Sequence, residues 1–257
     1  MSPPTEILGV EAISFAVALA AFFIGGYVKG AIGFALPLVA VAGGSTVFDA
    51  KTVVAMLIIP VLVTNFLQSV RQGIGPLMET GRRFWPTIAV IMLVIALSAQ
   101  LLTVIDDRVF FLTLGVGVAL FATLQLAGWR PVIRREQERP WGLAVGTLSG
   151  FYGGLAGIWG PPFVLYVTAL GLPKREQVRA TGLCFLLGAV ILAPAHYATG
   201  VFNATTAALS AAMLPAALIG QYLGQKTQDG LDAELFRRIT LAVLIIAALN
   251  MLRRALF

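Results

Sequence analysis

Five apolar runs of about 19 to 23 residues, at 52–70, 84–105, 109–129, 180–202 and 204–223, constrain this chain more than any other feature. A bilayer core of roughly 30 Å is crossed by about 20 residues of helix, so runs of this length predict membrane spans. Only 12% of the 257 residues are charged and the mean hydropathy is +0.90. Ordinary soluble domains carry about a quarter charged residues. The prediction is an all-α polytopic membrane protein. The opening segment, MSPPTEILGVEA, has no Lys or Arg ahead of its apolar stretch. It therefore reads as the entry to a first membrane segment rather than a signal peptide. The single cysteine, Cys184, sits mid-segment and offers neither an intramolecular disulfide nor a cysteine metal site.

Two glycine-rich stretches interrupt this pattern. Residues 26–37 read GYVKGAIGFALP and residues 150–161 read GFYGGLAGIWGP. At a constant offset of 124, Gly26, Gly30, Gly33 and Pro37 fall on Gly150, Gly154, Gly157 and Pro161. A short charged junction follows each motif, DAK at 49–51 and PKRE at 173–176, and three further apolar segments follow each junction. DDRVFF at 106–111 is echoed by DAELFR at 232–237. The chain thus divides into a first repeat at 1–129, a basic linker at 130–140 and a second repeat at 141–257.

Charge decides how the motifs cross. If each glycine-rich stretch crosses once, the loop Lys and Arg residues divide nine against eight. If each enters and returns on the same side, one side holds Arg71, Arg82, Arg83, Arg130, Arg134, Arg135, Arg139, Lys174, Arg175, Arg179, Lys226, Arg237 and Arg238. The other side holds only Lys51, Arg108, Arg253 and Arg254. Basic residues accumulate on the cytoplasmic side, so the hairpin arrangement is preferred. It makes the two repeats inverted in topology, each a broken glycine-rich hairpin followed by three transmembrane helices. Arms of about 14 to 18 residues are short for a full crossing and read as re-entrant or barely spanning. Only 14 residues separate Arg238 from Arg253, so these side chains are expected to snorkel to the interfaces.

Irregular backbone at membrane depth is tolerated where it is buried in protein or lines a cavity. A helix starting at such a break points its positive dipole end inward, toward an anion. Close helix packing at small residues is the competing explanation for the glycines. Charged and polar groups in the apolar stretches mark a candidate binding site. Lys29, inside the first motif, reads as an anion partner or as a snorkelling lysine. With it stand Gly30 and Gly33, and Gly154, Gly157 and Trp159 in the second motif. Asn65 and Gln68 lie one turn apart on one face, as anion donors or as interhelical hydrogen bonds. His196, the only histidine, reads as a ligand or proton relay, or as a structural hydrogen-bonding group. Tyr152, Tyr166, Gln100, Gln125 and Gln221 are weaker candidates.

Apart from Glu11, no Asp or Glu lies inside an apolar run, which argues against a cation carrier. No GxxxxGK[ST] loop for a nucleotide, no G-x-S-x-G elbow and no His/Glu metal cluster is present, so an ATP-driven pump or a membrane enzyme is disfavoured and no cofactor is expected.

These two motifs, the duplicated layout and the overall length resemble the TauE/SafE family, the sulfite exporter family of bacterial membrane transporters. The resemblance covers nearly the whole chain. It implies movement of sulfite or a small organosulfonate such as sulfoacetate. With the inverted-repeat reading, the expectation is a secondary transporter in the bacterial inner membrane, working as an exporter, with a proton as candidate coupling ion. A passive anion channel is the alternative. The first motif departs from the second where Ala35 and Leu36 stand opposite Trp159 and Gly160.

The charge count predicts external termini and a cytoplasmic linker. Cysteines introduced at Ser2, Gln137 and Phe257 in a Cys184-free background are expected to label from outside at the two termini only. Labelling of Ser2 and Gln137 from the same side contradicts the arrangement.

Overall fold

The computed structural model describes residues 6–129, 131–227 and 233–256. A two-residue ribbon, β1 (Glu6–Ile7) against β2 (Val10–Glu11), precedes the first helix. The rest is helical: α1 (Ala12–Ile32), α2 (Leu36–Gly44), α3 (Ala50–Val70), α4 (Ile74–Ser98), α5 (Asp107–Leu126), α6 (Glu138–Ala156), α7 (Gly160–Ala169), α8 (Lys174–Ala198), α9 (Ala204–Thr227) and α10 (Ala233–Leu256). A 3₁₀ turn over Ala99–Thr103 extends α4. Six of these, α1, α3, α4 with its extension, α5, α8 and α9, are long and apolar enough to cross a membrane. The chain is a multi-pass, all-α membrane protein.

Local chemistry sets the helix ends. Asp49 accepts a bond from the Thr52 N–H at 2.9 Å and caps α3; Asp106 accepts from Arg108 N–H at 2.7 Å and caps α5. Asp107, in the first turn of α5, favours the positive dipole end. α1 stops at Gly33, whose φ of 88° lies in the left-handed region and whose N–H reaches the Lys29 carbonyl at 2.7 Å. α6 stops in the same way at Gly157, with φ of 68° and a bond to the Gly153 carbonyl at 2.8 Å. Glycine enters that region without the clash that a Cβ brings. Pro37 and Pro161 then sit in the first turns of α2 and α7, where a missing N–H costs nothing.

Each glycine-rich stretch doubles back. Gly25 lies against Leu36 and Val39, and Gly43 against Ala21, so α2 runs antiparallel to α1. Gly153 meets Trp159, and Gly142 meets Tyr166, so α7 runs antiparallel to α6. The arms are unequal, 21 and 9 residues in the first hairpin and 19 and 10 in the second, rather than 14 to 18 each. The reason is that the early glycines do not break the helix. Gly26 and Gly30 remain helical because they press on α9, and only Gly33 has the positive φ that ends α1. At 1.5 Å per residue the short arms span only about 15 Å, half a bilayer core. Glu138, Arg139 and Pro140, at the end of the basic stretch 130–140, form the first turn of α6, where proline is tolerated.

Close backbone approach holds the bundle together. A Cβ on Gly26 or Gly30 collides with the carbonyl oxygens of Ala217 and Gln221, and one on Gly220 or Gly224 collides with those of Phe23 and Tyr27. Both sets of partners rise together along the two helices, so α1 and α9 are parallel. Gly150 packs on the Ile91 carbonyl at 2.9 Å from its Cβ position, and Gly154 on that of Ile95 at 2.5 Å, which makes α6 parallel to α4. By contrast α5 and α10 are antiparallel, since Gly115 meets Leu252 and Arg108 Nε donates to the Ala255 carbonyl at 2.6 Å. So are α3 and α8: Gln68 bonds the Val178 carbonyl, while Leu57 and Leu192 meet across Gly157. In lipid the helices gain no hydrophobic drive to associate, so small residues that admit intimate packing carry the interface.

One proline is offset by a neighbour. Pro60, inside α3, has no N–H for the Met56 carbonyl. Ser210 Oγ of α9 donates to that carbonyl at 3.0 Å and accepts from Ile59 N–H at 3.0 Å, which satisfies the freed backbone.

Helix directions place Arg71, Lys174, Arg175 and Lys226 at one end of the bundle with residues 134–139. Lys51, Arg108, Arg253 and Arg254 stand at the other end, where Arg254 donates to the Phe48 carbonyl at 3.2 Å and lies over the Phe111 ring. Arg130, Asp232 and the expected labelling positions Ser2 and Phe257 lie outside the described residues, as does the side chain of Arg237.

Gly30→Leu and Gly154→Leu are each expected to force their helix pair apart at a cost of roughly 1–3 kcal/mol or more. Gly75→Ala, whose Cβ meets open space, is expected to be neutral. Melting temperatures of the purified proteins in detergent compare the three.

Candidate functional site

The two breaks face each other. Ala35 and Pro37 from the first, with Gly157, Trp159 and Gly160 from the second and Phe185 of α8, line a gap of only about 10 Å³. That is room for about one water molecule. The Gly160 Cβ position lies 3.5 Å from the Phe34 ring, so the hairpins touch backbone to aromatic. The first turns of α2 and α7 begin at these breaks. Pro37, Pro161 and Pro162 carry no N–H, so Leu36 and Leu38 in the first half-helix and Gly160 in the second supply the first-turn donors.

Beside the first break lies a buried polar cluster drawn from four helices. Lys29 of α1 is 3% exposed, and its Nζ donates to Asn65 Oδ1 of α3. Gln68 of α3 donates through Nε2 to the Gly33 carbonyl at 3.0 Å and to the Val178 carbonyl at 3.3 Å, with Thr181 Oγ1 at 3.5 Å. Gln221 of α9 donates to the Thr64 carbonyl at 3.4 Å, and its Oε1 has no hydrogen-bond partner among the described residues. Asn65 and Gln68 are brought together as their spacing implies. Gln68 faces the break itself and ties its backbone to α8. Gln221, a weaker candidate on sequence, belongs with them because its helix packs against both α1 and α3.

The cluster is notable for what surrounds the ammonium. Among the described residues the ion pairs join Arg83 to Glu138 and Glu176, at 2.8 and 3.0 Å, on the face where α4, α6 and α8 begin. Among those residues Lys29 has a neutral amide partner and no carboxylate. A buried ammonium without a counter-ion is costly, and an anion bound beside it relieves that cost.

The second break differs in content. Trp159 is buried against Gly153 and Gly188, with its ring centroid 6.0 Å from that of Phe185. His196 of α8 is wholly buried and faces the backbone of Gly154. Neither of its ring nitrogens meets a partner at full hydrogen-bond geometry. His196 therefore belongs to the second hairpin and not to the Lys29 cluster.

Gly30 and Gly154 lie at helix contacts, while Gly33 and Gly157 shape the breaks. Tyr166 is remote from both breaks, its hydroxyl donating to the Glu138 carbonyl at 2.9 Å. Tyr152 packs on Gly117 of α5, Gln100 is exposed in the turn after α4, and Gln125 lies near the end of α5. Thr64 and Thr181 were not legible as site residues. Thr64 shares the face of Gln68 at i and i+4, whereas Thr181 meets it only through the α3–α8 packing.

Paired half-helices that begin inside a bundle of membrane-length helices are an arrangement known from membrane transporters. The chain matches the family model described as sulfite exporter TauE/SafE over residues 17–251, and it belongs to that family. No curated protein and no solved structure matches it.

Gln68→Leu is expected to release the Gly33 carbonyl and destabilise the first break by about 1–3 kcal/mol, the cost of leaving a buried acceptor unpaired. Thermal unfolding of the purified variant measures this.

Proposed function

We propose that this protein is a secondary transporter that carries a small sulfur oxyanion, sulfite or an organosulfonate of the sulfoacetate kind, out across the bacterial cytoplasmic membrane. The observation that carries the reading is Lys29: a buried lysine side chain at a backbone break, partnered only by the Asn65 amide among the described residues. The anion supplies the missing negative charge. Asn65, Gln68 and Gln221 offer amide donors once the anion displaces their present partners, and Gly33 keeps the break open at the start of α2. Gly157, Trp159 and His196 serve the second break, where His196 is the candidate carrier of a coupling proton.

The arrangement we propose is two inverted repeats, 1–129 and 141–257. Several observations support it. α1 packs on α9 as α6 packs on α4, both parallel, with glycines 124 positions apart resting on carbonyls. α3 with α8, and α5 with α10, run antiparallel, as equivalent helices do when their relating axis lies in the membrane plane. Half-helices meeting at mid-depth are how such transporters place a site reachable from either side in turn. The arginine-rich end is assigned to the cytoplasm, which leaves both termini outside.

Lys29→Ala is expected to weaken sulfite binding by about tenfold to a hundredfold, the value of one charge-assisted hydrogen bond of roughly 1.5–3 kcal/mol. Lys29→Arg restores part of it, because a guanidinium differs from an ammonium in shape. Calorimetry on purified protein reads both. An unaltered dissociation constant in Lys29→Ala removes Lys29 from the site. Accumulation of sulfite against its gradient in proteoliposomes under an imposed pH difference separates coupled transport from a passive channel.

A further inference from the structure

We infer that Trp159 is the steric barrier between the two breaks and sets the size of the anion that passes; this rests on the reading of the first break as the anion site. The argument begins with an exchange of bulk between the two halves. At the offset of 124, Lys29 corresponds to Gly153, Thr64 to Gly188, Asn65 to Ala189 and Ala35 to Trp159. Where the first half has large polar side chains around a small residue at its break, the second has glycine, glycine and alanine around an indole.

The structure shows where the indole goes. Its Cε3 lies 2.8 Å from the position of a Cβ on Gly153 and 3.5 Å from that of one on Gly188. The ring therefore stands where a side chain at 153, the counterpart of Lys29, would project. Trp159 is 2% exposed and ranks first by volume among the fully buried side chains. Its φ of −88° and ψ of −8° put its backbone in the bridge region at the N-cap of α7, and its ring is held by packing on Gly153, Gly188 and Phe185.

A cationic recess beside the first break is thus matched by a recess beside the second that is filled with hydrocarbon. Between them the gap of about 10 Å³ admits a water and not a four-atom oxyanion. Any anion passing from Lys29 past the second hairpin meets the indole, which already rests on the glycine surfaces and must swing away from them. Side-chain volume here decides which anions fit, much as one methylene in an enclosed pocket alters discrimination by tenfold or more.

Two measurements test this, in a background where Cys184 is replaced by Ala. The first needs no transport: Gly188→Cys is exposed to an anionic methanethiosulfonate reagent with Trp159 intact and with Trp159→Ala. Labelling is expected to be at least about tenfold faster without the indole. Equal rates overturn the inference. The second is the ratio of sulfoacetate to sulfite flux in proteoliposomes. Trp159→Ala is expected to raise that ratio about tenfold and Trp159→Phe to raise it less, while Lys29→Ala slows both anions and leaves it unchanged. An unchanged ratio in well-folded Trp159→Ala also overturns the inference. Should Trp159→Ala fail to purify as a single species, Trp159→Leu takes its place in both measurements with the same criteria. If the wild-type protein moves neither anion but labelling accelerates, the transport reading fails and the barrier stands.

Discussion

The contact of glycine with a neighbouring helix's carbonyl oxygens underlies the rest of this structure. Four such glycines on α1 and α9, and a matching set on α6, bring backbones to a separation that no side chain permits. In water an apolar helix face is driven against another by the loss of hydration. In hydrocarbon that drive is absent, and the gain comes from van der Waals contact at short range. The same intimacy that holds α1 to α9 and α6 to α4 fixes where Gly33 and Gly157 come to rest. The breaks are thereby held inside the bundle, facing each other.

Placing backbone breaks there is expensive unless their polar groups find partners. The protein meets this demand with side chains from other helices. Gln68 takes the Gly33 carbonyl, Ser210 takes the carbonyl freed by Pro60, and Ser98 donates to the Gly150 carbonyl at 3.1 Å. Each bond also crosses between helices that are distant in sequence. Satisfying the backbone and tying the bundle together are one and the same set of interactions.

The two breaks carry different contents. Around the first, a lysine and three amides leave an ammonium without a carboxylate among the described residues. Around the second, an indole lies on glycines and a histidine is sealed against the backbone. A transporter needs binding to be favourable enough for capture and release to be possible. One polar recess with a buried lysine and one apolar recess are thus set on opposite hairpins.

By itself the sequence determined the membrane class, the hairpin character of the glycine motifs and the family. Each rests on a local quantity: the length of an apolar run, the count of basic residues between runs, or the spacing of glycines. It also determined that Asn65 and Gln68 share a face, because helical periodicity needs no tertiary contact. Three things were decided by the tertiary structure. Which glycines break and which pack was settled by α9 and α4, whose carbonyls hold Gly30 and Gly154 in helix and leave Gly33 and Gly157 to take positive φ. That Gln221 and Thr181 join Lys29, and that His196 does not, depended on which helices lie side by side. The filling of the second recess by Trp159 depended on the small residues at 153 and 188 standing opposite it, an absence of side chain that gains meaning only when three elements meet in space.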